Sequence, residues 1–199
     1  RRLREKLLRD PHRPGYHLVT LEGDCNIHDP NGGLYWKGRY HLFYIFSNEQ
    51  KKWCWGHVSS ADLVHWRRHP TALAPQPGDI DAGIFSGGAF VDKRGVPTLV
   101  YWGLGGNAGI CMATSTDDNL DHWTKSPHNP VIARSRWGNP DEGPYGVCDP
   151  SAVWRHDDLY YMVTGNIEVL RKFGLEKDDP RFKGDTVYLF ESEDLIDWK

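Results

Sequence analysis

The chain has 199 residues, 39% hydrophobic and 26% charged, a composition suited to one globular domain or to part of a larger one. A formal net charge of −3 and a pI near 6.4 argue against nucleic acid or an anionic membrane surface as partner. No apolar run is long enough to cross a bilayer.

Arg1 to Arg9 opens the chain as a short basic helix candidate, with Leu3, Leu7 and Leu8 on one side. Asp10-Pro11 and Arg13-Pro14-Gly15 stop it, so residues 1–15 read as a solvated N-terminal extension. Residues 16–199 then change to short strands and turns. Nine Trp, nine Tyr and seven Phe suit both β-structure and sugar-binding surfaces.

His28-Asp29-Pro30-Asn31-Gly32 comes next, and it predicts a tight turn with an acid on it. Pro30 fixes its own φ and disfavours helix at Asp29, while Asn31-Gly32 tolerate positive φ. Leu34-Tyr35-Trp36 and Tyr40 to Phe46 follow around Lys37-Gly38-Arg39 as a hairpin. Asp29 is thereby mounted on the rim of a sheet.

One element recurs three times: Trp55 to Trp66, Cys111 to Trp123, and Tyr188 to Trp198. Each is a strand ending in Ser (Ser60, Ser115, Ser192), an acidic turn, a Leu, and a Trp shortly after. An apolar strand precedes each copy. Such self-similarity is the signature of radially repeated sheets and predicts an all-β propeller whose Ser, Asp and Trp groups are scaffold. Three units do not close a ring, so the chain is expected to be part of a longer propeller, or to take its remaining strands from elsewhere. Gly105 to Gly109 is glycine-rich but has no helix behind it, and reads as a turn rather than a phosphate cradle.

Ile84-Phe85-Ser86-Gly87-Gly88 opens the second unit, offering an apolar wall, a hydroxyl and a backbone that approaches ligand closely; a plain bulge or turn is an equal reading. Cys148-Asp149-Pro150 repeats the Asp-Pro step of the first unit. Inner strands of a propeller converge on its axis, so Asp29 and Asp149 are expected to face one pocket. Paired carboxylates beside aromatics suit glycosidic bond cleavage, whose transition state is oxocarbenium-like.

Cys25, Cys54, Cys111 and Cys148 form no C-x-x-C pair and read as four reduced thiols. With no apolar leader visible, they favour a cytoplasmic compartment. His65 and His69 have helical metal-pair spacing but flank Trp66 in strand-and-loop context, so no metal site is expected, and no cofactor is called for.

Taken together, His28 to Gly32, Tyr40 to Tyr44, Trp55-Gly56-His57, Ser60 to Trp66, Phe85-Ser86-Gly87 and Asp149-Pro150 resemble glycoside hydrolase family 32, the invertases, inulinases, levanases and related fructosyltransferases. The resemblance runs in order from about Gly23 to Trp198. It implies a five-bladed β-propeller, of which this chain covers roughly the first three blades. It also implies double-displacement cleavage of β-fructofuranosides, with a disaccharide or oligosaccharide as partner.

On that resemblance Asp29 is the nucleophile and Asp149 the transition-state stabiliser. Phe85 and Ser86 line the fructose pocket, with Trp53 or Trp55 as the aromatic beside it and His28 as an added donor. The family's acid/base glutamate is expected beyond Lys199; Glu168 is the interior substitute to consider, in what reads as an ordinary loop, and Glu191 and Glu193 should be surface residues. Three positions depart from the family pattern. Asn26-Ile27-His28 replaces its Trp-x-Asn, Ile45 replaces a Gln, and Cys148 replaces the Arg of its Arg-Asp-Pro. These losses keep three alternatives in view: a sugar-binding propeller without turnover, a glycosidase for another furanoside, and a fructosyltransferase.

Overall fold

The computed structural model describes residues 5, 9–12, 25–105, 108–134, 145–166 and 187–199. Most of the expected N-terminal helix lies outside these residues; within them, Arg9 N–H donates to Glu5 O at 3.2 Å, the spacing of one helical turn. Everything else described is strand, turn or loop.

Three antiparallel sheets follow one another. The first runs β1 (Cys25–Trp36), β2 (Arg39–Ser47), β3 (Trp53–Ser60), β4 (Trp66–Arg68) in spatial order. The second runs β5 (Gly83–Val91), β6 (Pro97–Leu104), β7 (Gly109–Thr114), β8 (Thr124–Lys125), and β9 (Ile132–Ala133) also pairs with β7. The third is built on β12 (Leu159–Asn166), flanked on one side by β10 (Val147–Cys148) and β11 (Trp154–His156) and on the other by β13 (Tyr188–Ser192).

Side-chain alternation along these strands makes two cores. On β6, Leu99 and Tyr101 point with Cys111 toward the first sheet, where Phe43, Ile45, Trp55 and Leu73 meet them. Val100, between them, points the other way with Ile110 and Met112, onto Val153, Tyr160, Met162 and Phe190 of the third sheet. A strand buried on both faces needs apolar residues at successive positions, as Thr98 to Trp102 largely provides. Full burial of each large side chain is worth about 1.5–3 kcal/mol.

The first strands of consecutive sheets lie backbone to backbone. A Cβ on Gly32 would fall 2.7 Å from Ala89 N, and one on Gly88 would fall 2.5 Å from Ala152 Cα. These strands therefore crowd together along one line, as the inner strands of propeller blades do.

The repeated element is scaffold. Ser60 Oγ accepts from Asp62 N and Leu63 N and donates to Asp62 Oδ1. Ser192 makes the same three bonds with Asp194 and Leu195, and Ser115 pairs likewise with Asp117. Leu63, Leu120 and Leu195 each take positive φ, 65°, 58° and 70°, a conformation that the serine and aspartate bonds hold in place. Trp123 packs edge-on to Phe43 across the first seam, and Trp198 packs on the second core.

A buried histidine column crosses the first seam. Phe43, His57 and His69 stack in turn at 4.6 and 4.1 Å, and His41 Nδ1 lies 2.8 Å from His57 Nε2. His69 Nδ1 reaches Asp121 on the second sheet at 2.6 Å. Burial, reinforced by the neighbouring histidines, lowers the pKa of His41 to about 4 and of His57 to about 2. Both stay neutral in the fold, whereas unfolded histidine gains a proton below about pH 6.5. Folding stability is therefore lost as pH falls through 6.5, by roughly 2 kcal/mol for each group at pH 5. A urea midpoint that drops between pH 7 and pH 5 in wild type, and drops less in H41N, is the expected result; equal slopes would contradict it.

Candidate active site

The inner strand of each sheet is interrupted at the same level, and every expected pocket residue except Trp53 and Trp55 sits at an interruption. In β1, Ile27 opposes Phe46 and Pro30 opposes Tyr44, so His28 and Asp29 share the place opposite Ile45. In β5, Ile84 opposes Gly103 and Gly87 opposes Tyr101, so Phe85 and Ser86 share the place opposite Trp102. In the third sheet, the strand pairs at Cys148, breaks at Asp149-Pro150, and resumes as β11 at Trp154.

The sequence predicts a turn at Asp29; the structure has a bulged strand instead. Pro30 has no N–H to give the ladder, and Gly32 takes φ 62°, so the strand absorbs extra residues and continues. A bulge re-aims side chains off the regular alternation, and that sets Asp29 outward. At Phe85-Ser86 the bulge and the functional reading coincide.

Asn31, read from sequence only as a turn former, joins two of these interruptions. Its side chain is buried, its Nδ2 donates to Asp29 O at 2.9 Å, and its Oδ1 accepts from Gly87 N at 3.1 Å. The first bulge is thus clamped to the second. The available signal was an amide two residues after an acid on a proline-broken strand, a pattern that fits many Asx turns.

Asp149 takes φ 42°, a left-handed conformation unusual for a residue before proline and worth of order 1–3 kcal/mol in strain. Burial pushes its carboxyl above the usual carboxylate range. A hydrogen bond from Ser86 pulls the other way, and the negative charge of Asp29 pushes up again. Ser86 and Asp29, from the second and first sheets, therefore both act on Asp149 of the third.

An aromatic wall runs beside them. His28 meets Trp53 edge-on at 4.7 Å, Trp53 meets Phe85 at 5.8 Å, and Phe85 meets Trp102 at 5.5 Å, each close to perpendicular. Trp55 departs from its expected place at the sugar. It is fully buried, and its indole N–H donates to Phe85 O at 2.9 Å. Trp55 lies on the same face of β3 as Trp53 but deeper in the core, so it braces Phe85 from behind. Ile45 is likewise fully buried among apolar neighbours. Glu193 is exposed and Glu191 partly so; Glu168 lies outside the described residues.

Cys54, Cys111 and Cys148 are free and buried, and burial pushes their thiols up to about 11, 12 and 12. Cys25 has no described side chain. Among the described residues, His41, His57 and His69 are the one group of three placed near enough together to suggest a metal. Their geometry does not suit one. His69 uses one ring nitrogen on Asp121 and the other on Ser59 Oγ. His41 Nδ1 and His57 Nε2 face each other at 2.8 Å, so each is taken up by the other and not open to an ion. His65 is exposed and bonded to Asp62, not paired with His69.

Carboxylates brought together from separate blades, one of them bonded to a hydroxyl, with an aromatic wall alongside, are the kind of arrangement a propeller glycosidase site uses. The glycosyl hydrolases family 32 N-terminal domain matches residues 17–199, and the chain belongs to that family. It is 36% identical over 202 residues to sucrose-6-phosphate hydrolase of Salmonella typhimurium, covering 97% of this chain and 38% of that protein. It is 34% identical over 203 residues to the insoluble beta-fructofuranosidase isoenzyme CWINV3 of Arabidopsis thaliana, covering 96% and 31%. Fructan 1-exohydrolase IIa of Cichorium intybus superimposes with a TM-score of 0.72 at 27% identity, over 96% of this chain and 34% of that one. The chain thus spans about a third of the length of the relatives it matches, and its three sheets are the first blades of the family's five-bladed propeller.

Proposed function

We propose that the protein is a retaining β-fructofuranosidase in which Asp29 is the nucleophile. The observation that carries this reading is the convergence of Asp29 and Asp149 from the first and third blades, close enough for one charge to shift the other's pKa. In the first step an Asp29 carboxylate oxygen bonds to the anomeric carbon of the fructosyl unit. The bond to the glycosidic oxygen breaks, and that oxygen takes a proton from a general acid, which the family supplies as a glutamate. Water then adds to the anomeric carbon, gives its proton to the same group, and frees Asp29. Asp149, ionised, accepts hydrogen bonds from the fructose hydroxyls and balances the developing positive charge. His28, Trp53 and Phe85 present the wall on which the ring rests.

The relatives' names support a sucrose-type or fructan-type substrate, phosphorylated or not. Fructose release from sucrose, sucrose 6-phosphate and inulin, with arabinan as the contrasting furanoside, tests this. Fructose release from any of the first three is expected. Cleavage of arabinan alone would move the activity to another furanoside, and binding without turnover would make this a sugar-binding propeller.

The environment of Asp149 also predicts a pH effect. Its ionised form is needed, and its raised pKa means activity is lost on acidification earlier than an ordinary carboxylate would allow. Ser86→Ala removes the bond that opposes this shift. The acidic limb of kcat/KM should therefore move to higher pH in S86A; an unmoved limb would show that Ser86 does not tune Asp149.

A further inference from the structure

We propose that Asn31 is the positioning residue of this site: its side-chain amide sets where the Asp29 carboxylate stands against the bulge that carries Phe85 and Ser86. The inference rests on the fructosidase reading above and deepens it by naming what fixes the nucleophile relative to the groups that hold the sugar.

Asp29 is exposed, so the course of its backbone, rather than packing around its side chain, decides where the carboxylate points. That backbone is bulged, and bulged residues lack part of the ladder that fixes a regular strand. Asn31 supplies the missing tie. Its Nδ2 donates to Asp29 O at 2.9 Å, and its Oδ1 accepts from Gly87 N at 3.1 Å. The two partners fix the orientation of the amide, since a carbonyl oxygen needs a donor and an N–H needs an acceptor. At 4% exposure the residue is shielded from water that would compete for either bond.

The anchor at Gly87 does not yield. A Cβ there would fall 2.0 Å from Val100 O and 2.7 Å from Tyr101 Cα, so its backbone lies pressed against β6. Val100 and Tyr101 are fully buried, one in each core. Ser86, the residue before Gly87, is hydrogen-bonded to Asp149. The amide of Asn31 therefore stands between the two acids. Asp29 is on its donor side; Gly87, Ser86 and then Asp149 are on its acceptor side. A misplacement of about 1 Å in a reacting group costs on the order of 10²-fold in rate, so a tie of this kind acts on kcat.

The test compares full-length wild type, N31D and N31A by steady-state fructose release, each assayed below its own thermal midpoint. N31D keeps an acceptor for Gly87 N–H but, when ionised, gives Asp29 O no donor. Its kcat should fall roughly 10–100-fold while KM stays within about threefold of wild type. N31A releases both bulges, so kcat should fall at least as far and KM should also rise, by about tenfold. A purely structural amide would lower the midpoint and leave the kcat of the folded protein unchanged. A kcat within about threefold of wild type in either variant overturns the assignment, as does a loss in N31D that lies in KM alone. N31A adds no charge, so a loss confined to N31D would belong to the new carboxylate and not to the missing tie. Should N31A not fold, N31D decides by the same criteria. If wild type releases fructose and the variants match it, the Asn31 assignment alone falls. If wild type releases fructose from no fructoside, the fructosidase reading falls and this one with it.

Discussion

Asp29→Asn will remove turnover while leaving the fold intact. Asn is nearly isosteric with Asp, but its amide cannot form the covalent ester on which double displacement depends. Losing a residue that bonds directly to substrate costs on the order of 10⁴-fold or more in kcat. The fold should not register the change. Asp29 is exposed, and the hydrogen bond that clamps its bulge runs from Asn31 to the Asp29 backbone oxygen, which Asn retains. Steady-state fructose release and a thermal melt of the two proteins test both halves. Hydrolysis within tenfold of wild type would dismiss Asp29 as the nucleophile; a large drop in melting temperature would mean that it also holds the blade together.

Gly32→Ala should damage the first blade severely. At φ 62° an alanine carries the left-handed penalty, about 1–2 kcal/mol. Its Cβ would also fall 2.7 Å from Ala89 N and 2.9 Å from Gly88 C, atoms of backbone that no rotamer change can move aside. Together these should cost roughly 3 kcal/mol or more. Relief requires the first inner strand to draw away from the second, and Asn31 and Asp29 lie on the segment that must shift. Stability and kcat should therefore fall together. Gly38→Ala is the matched control: φ is 84°, but nothing lies within 4 Å of its would-be Cβ. It should lose only the conformational part, with activity unchanged. Equal denaturation midpoints for the two variants would show that the close approach of the blades carries no energy.

Particular residues show where reading the chain succeeded and where it stopped. The Ser-Asp-Leu-Trp element was legible because it is local: each serine, aspartate and leucine lies within five residues of its partners, and three copies agree. The three interruptions were legible through proline and glycine, although at Asp29 a bulge stands where a turn was expected, because the chain continues extended on both sides and finds a ladder partner in β2. Trp53 and Trp55 could not be told apart along the chain. Strand alternation puts residues two apart on one face, and only the depth of the core at Trp55 sends it inward as a brace. His41, His57 and His69 look scattered in sequence and stack only because β2, β3 and the loop after β4 share a face.

What the amino-acid sequence determined by itself was the set of short-range choices: short apolar strands, turns closed by serine and aspartate, and proline-marked breaks that carry the acids. The tertiary structure decided which of those breaks meet. Asn31 reaching Gly87, Ser86 reaching Asp149, and Arg134 lying over Trp102 span separations of tens of residues. Such meetings depend on how far each blade is rotated against the next, which is set by the summed fit of both cores and the backbone contact at Gly32 and Gly88. No local pattern encodes that sum, since every residue in the two seams contributes to it at once.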